Sequence, residues 1–130
     1  MSTNGKQRAP LLDETINRFA QACHQGAIDG GWWTNSKGKK KRADVPRMLC
    51  LIHGEISEAL EGYRTNKMDS HLPHRTALEV EMADAVIRIG DLCEALNLDL
   101  GGACVEKLRY NKTRPDHTKA ARRRKNGKKF

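Results

Sequence analysis

The sequence predicts an all-α fold, on three observations. Apolar residues recur at threes and fours in four separate segments, helix-capping and helix-breaking residues stand at the segment boundaries, and 130 residues supply one core but not two.

The first helix is expected from Leu11 to Gln25, where Leu12, Ile16, Phe19, Ala20 and Cys23 form one stripe between Pro10 and Gly26. A loop from Gly30 to Ala43 follows, with Gly30-Gly31, Trp32-Trp33, Asn35-Ser36 and a basic run; it has no helical period and is expected to be mobile at its tip.

The second helix should begin at Asp44, a capping residue, with Pro46 in the first turn where its missing amide costs nothing, and run to about Arg64. Leu49, Ile52, Ile56, Leu60 and Tyr63 are its expected core face. The adjoining row of Met48, Leu51, Glu55, Glu58 and Gly62 begins apolar and turns acidic.

Asn66, Asp69, Ser70 and Pro73 mark a loop before a third helix over about Thr76 to Leu96. Its expected core stripe is Leu78, Met82, Ala85, Ile89, Leu92, Cys93 and Leu96, beside a row of Glu81, Asp84, Arg88 and Asp91. Val80 and Ile87 on the far side suggest burial on two faces, in a bundle or at a subunit interface. Asn97 and Asp99 precede a fourth helix, Leu100 to Lys112, which ends before Pro115.

The formal charge of +8 is unevenly placed. From Lys112 onward nine basic residues face the single Asp116, so the rest of the chain is neutral overall, and its Lys37, Lys39, Lys40, Lys41 and Arg42 leave the helices acidic. The chain thus divides into an extension (1–10), a helical domain (11–115) and a basic tail (116–130) expected to be disordered. Cys23, Cys50, Cys93 and Cys104 form no C-x-x-C pair and read as reduced, buried thiols. No apolar run reaches membrane-spanning length and the polar start Met1 to Lys6 is unlike a secretory signal, so the expected location is the cytoplasm.

The chemistry is carried by Glu55-Ile-Ser-Glu58 and Glu81-Met-Ala-Asp84. A spacing of three puts both members of each pair on one helix face. Four converging carboxylates suit a hard divalent cation that keeps positions open for water and substrate phosphates, so the expected activity is a magnesium-dependent phosphohydrolase.

The run Leu51 to Glu61 followed by Glu81 to Arg88 resembles the all-α nucleoside triphosphate pyrophosphatases of the MazG-like group, as does the ending Glu106 to Pro115. The resemblance covers about residues 11 to 115. It implies an antiparallel four-helix bundle completed by oligomerisation as a homodimer or homotetramer, and magnesium, with manganese able to stand in, on Glu55, Glu58, Glu81 and Asp84. The implied reaction is hydrolysis of a (deoxy)nucleoside triphosphate to monophosphate and pyrophosphate, with Glu55 or Glu58 activating the attacking water.

Lys107, Asn111 and Arg114 share a helix face and would hold pyrophosphate, while Trp32 or Trp33 would stack on the base. The basic insert Lys37 to Arg42 departs from the compact loop of the group. Phosphoribosyl-ATP pyrophosphatase shares the implied fold and reaction type. A rival reading is a small nucleic-acid-binding protein using the basic tail; another is a helical adaptor whose carboxylates are ordinary surface charge.

Overall fold

The computed structural model describes residues 10–130; residues 1–9, the polar start and all but the last residue of the N-terminal extension, lie outside the described residues. Four main helices follow one another, α1 (Leu12–Asp29), α2 (Val45–Thr65), α3 (Ala77–Ala95) and α4 (Leu100–Thr113), before a 3-10 turn (Pro115–His117) and a short α5 (Lys119–Arg123). Among the described residues no strand forms, and no helix is long and apolar enough to cross a membrane.

Local chemistry sets the boundaries. Asp44 accepts the Arg47 amide at the start of α2, and Asn66 ends that helix in the left-handed conformation. Thr76 and Glu79 cap α3 reciprocally: the Glu79 amide donates to Thr76 Oγ1 at 3.1 Å and the Thr76 amide to Glu79 Oε1 at 3.2 Å. Asp99 accepts the Gly102 amide at the start of α4. The first helix runs past its expected end at Gln25 to Asp29, through Gly26, because the Gly30 amide still finds the Gly26 carbonyl.

Two antiparallel pairings organise the core. The end of α2 meets the start of α3, where a Cβ on Gly62 would lie 2.8 Å from that of Ala77, and Glu55 of α2 pairs with Arg88 further along α3. On the other side of α3, Gly90 lets Ala20 and Cys23 of α1 approach closely. At the far end of α1, Gly101 of α4 sits directly against the Asp13 backbone, where any side chain would collide. Asn17 pins this junction by accepting the Gly101 amide and donating to Asp99, both at 2.8 Å.

The helices therefore pack in the order α2, α3, α1, α4, as an open row. A bundle closed within one chain would instead ring its core. What the row buries is small: Ala20, Cys23, Ala59 and Ala85, with Leu92 and Trp33 the larger exceptions.

This corrects the expected core faces. Leu49, Ile56, Leu60 (59% exposed) and Tyr63 (70%) point away from α3, and of that stripe Ile52 alone is half-buried. The face of α2 that meets α3 lies between the two expected rows, along Ile52, Glu55, Ala59 and Gly62. Leu78 and Met82 of α3, Leu96 just past its end and Leu108 of α4 are likewise exposed. All four cysteines are free, but Cys23 alone of them is buried: Cys93 and Cys104 are half-buried and Cys50 is exposed.

Two segments outside the four main helices have local structure of their own. Residues 33–41 form a tight hairpin with a bridge between Thr34 and Lys40, closed by the Lys41 amide on the Trp33 carbonyl at 2.8 Å. After Pro115 the basic tail forms the 3-10 turn and α5, and Asp116 accepts two bonds from the Arg114 guanidinium and one ion pair from Lys128.

Candidate metal centre

Because α2 and α3 run antiparallel, Glu55 and Glu58 come to lie across from Glu81 and Asp84. Glu55, Glu81 and Asp84 each offer a carboxylate oxygen within 4.8 Å of the others. Glu55 is well covered, its side chain 13% exposed, and Arg88 Nε donates to its Oε1 at 2.6 Å. Glu58 stands at the rim, close enough for its charge to act on both Glu81 and Asp84.

The crowding has an electrostatic cost. Desolvation, a hydrogen bond with Glu55 and the charges of Glu58 and Glu55 push the Glu81 carboxyl up to about 7. Asp84 is raised by desolvation and by Glu55, Asp69 and Glu58, against the lowering effect of Arg88. Such a group relieves its repulsion by holding a proton or by holding a cation. The donor set consists of hard oxygens on two rigid helices and fits magnesium or manganese better than a softer metal.

The remaining candidates separate. Trp33 is 7% exposed and plugs the core: its indole Nε1 donates to Asp91 Oδ1 at 2.9 Å, and its ring meets His24 edge-on at 5.1 Å. Trp32 is 74% exposed, so of the two it is the one free to stack on a ligand. Lys107 and Asn111 are exposed on α4, an edge helix, and Arg114, the residue that caps its end, is half-buried; the neighbours acting on Glu81 and Asp84 are instead Glu55, Glu58, Arg88 and Asp69. Lys107 lies over the Tyr110 ring at 4.8 Å, Arg114 at 5.9 Å, and Arg114 is engaged with Asp116.

His53 is exposed, and Glu61 pairs with Arg64 at the surface. His71 and His74 lie in an exposed loop, and among the described residues the candidate metal group is the carboxylate one alone.

One constellation was not anticipated from the sequence. Asp91 Oδ1 binds both the Trp33 indole and His24 Nδ1, the latter at 2.7 Å, tying α1, the hairpin and α3 together. The available signal was its place in the row of Glu81, Asp84 and Arg88; nothing local named the partners.

No protein-family model, no curated protein and no solved structure matches this chain.

Proposed function

We propose that the protein is a magnesium-dependent nucleoside triphosphate pyrophosphohydrolase, in line with the MazG-like pattern of its two carboxylate pairs. The observation that carries this reading is the convergence of Glu55, Glu81 and Asp84 from two helices, with Glu58 at the rim. Magnesium on these residues would polarise the phosphoryl oxygens and offset the charge that grows as water attacks the α phosphorus.

The chain's own residues divide the remaining work. Arg88 holds Glu55 in one orientation. Glu58 is exposed and among the described residues is not held by an arginine, which suits it better than Glu55 to take the proton from the attacking water. Trp32 offers a free aromatic face beside the basic hairpin for the base.

We also propose that the working form is a homodimer built on the face opposite the carboxylates. Ile56 and Leu60 lie about 160° around α2 from Glu58, and Met82 and Val86 about 160° around α3 from Asp84, and all four lie about 100–140° from Glu55 or Glu81 on their own helix. Together with Leu49 and Tyr63 they leave on the order of 500 Å² of apolar surface, which flanking atoms extend toward the ~800 Å² per partner of a standard interface. A second copy laying its own α2 and α3 on this face would complete a four-helix bundle and leave both carboxylate sites open.

The test is product analysis by anion-exchange chromatography after incubation with a panel of nucleoside triphosphates and magnesium, beside a Glu58→Gln control. Monophosphate and pyrophosphate from the parent alone support the reading. No turnover, together with no thermal stabilisation by magnesium, would favour an adaptor. The nucleic-acid reading has the exposed cations of the tail in its favour; removing residues 117 to 130 should abolish such binding and spare hydrolysis.

A further inference from the structure

A recess of about 350 Å³ opens between the hairpin, the end of α1 and the end of α3, lined by His24, Trp33, Lys40, Lys41, Arg42 and Ala95 among others. We infer that this recess is an anion site for phosphate groups, distinct from the carboxylate cluster and supplied with its cations by the basic hairpin.

The hairpin delivers those cations at a fixed place. Asn35 Oδ1 accepts the amides of Lys37 and Lys39, both at 2.9 Å, and Gly38 takes the turn at φ 73°, where a side chain would be strained. Thr34 bridges Lys40 and the Lys41 amide returns to Trp33. Trp33 is in turn anchored on Asp91 of α3. A merely solubilising basic run needs none of this scaffolding.

The charge at the recess is uncompensated. Among the described residues Lys40, Lys41 and Arg42 enter no ion pair, whereas Arg64, Arg75, Arg88 and Arg114 each have a carboxylate partner. Asp91 of α3 already serves Trp33 and His24 through one oxygen. Two lysines and an arginine converging on one concavity beside an aromatic ring and an imidazole suit oxyanions of high charge density.

Position relates the two sites. Asp84, Arg88, Asp91 and Ala95 stand at steps of four, three and four, one row of α3, so the recess lies along the same face as the carboxylates, about 16 Å further on. The anion can therefore be a distant phosphate of the molecule held at the carboxylates or a second phosphorylated ligand. The chemistry of the recess is the same for both.

Isothermal titration of the full chain with inorganic tripolyphosphate in metal-free buffer tests this, comparing the parent, a Lys40→Gln/Lys41→Gln/Arg42→Gln variant and Glu81→Gln. The expected result is binding by the parent and Glu81→Gln, at least tenfold weaker in the triple variant, whose exposed substitutions should leave the circular dichroism melt unchanged. Equal binding by parent and triple variant overturns the inference, and so does hairpin-dependent capture of a single-stranded oligonucleotide without capture of tripolyphosphate.

Substrate kinetics assign the source. A raised KM in the triple variant, with tripolyphosphate competitive, places the anion on the substrate; non-competitive inhibition places it on a second ligand. If the protein hydrolyses no triphosphate yet the triple variant still loses tripolyphosphate, the anion site stands and the hydrolase reading fails. Hydrolysis with unchanged tripolyphosphate binding gives the reverse.

Discussion

Arg88 reaches from α3 to α2 and donates to Glu55 at 2.6 Å, so one of the carboxylates offered to a metal is already held by a cation of its own chain. The bond fixes the Glu55 rotamer and partly offsets the charge beside Asp84, which Arg88 lowers. Replacing Arg88 with Met should destabilise the metal-free protein by on the order of 1 kcal/mol, since the pair is part-exposed, and magnesium should raise the melting temperature of the variant more than that of the parent. An identical magnesium response in both would show that Arg88 is only a surface partner.

The carboxylate cluster makes stability depend on pH in an unusual direction. The folded chain keeps a proton on Glu81 up to about 7, whereas the unfolded chain loses it near the ordinary glutamate value. Between those values the native state binds more protons, so stability of the metal-free protein should fall as pH rises. Melting curves at pH 5 and pH 8 should therefore differ in favour of pH 5, and Glu81→Gln should flatten the difference.

Magnesium should act most strongly where the cluster is fully ionised. At a hundredfold excess over its dissociation constant a ligand of the native state adds about 2.7 kcal/mol. A rise in melting temperature is expected at pH 8 for the parent, and little or none for Asp84→Asn. Stabilisation of Asp84→Asn equal to that of the parent would place the metal elsewhere.

The outward stripe of α2 predicts self-association. Leu60→Glu substitutes an exposed position, so a single chain should still fold, but a charge would be buried at the centre of the proposed interface. Light scattering after size exclusion should give a dimer for the parent and a monomer for the variant. A monomeric parent would refute the interface.

The two tryptophans should behave oppositely. Trp33→Phe removes the indole donor from Asp91 and should cost about 1–3 kcal/mol of stability. Trp32→Ala should stay within about 0.5 kcal/mol, its effect falling on KM. Chemical denaturation and steady-state kinetics separate the two.

The order and most of the boundaries of the four main helices were legible in the sequence, because caps such as Thr76 with Glu79 and stops such as Asn66 act within a few residues; the short α5 of the tail was not. The sequence by itself also determined which carboxylates share a helix face, since a spacing of three leaves no choice. Which face of each helix turns inward was settled by packing between helices. On α2 the apolar stripe looked like the core, yet Gly62 and Ala59 allow the closest approach to α3, and it is Glu55 that follows them in. The reason is that periodicity reports which residues share a face, while the burial of that face depends on partners distant in sequence. Asp91 with Trp33, 58 residues apart, is the same limit at a single hydrogen bond.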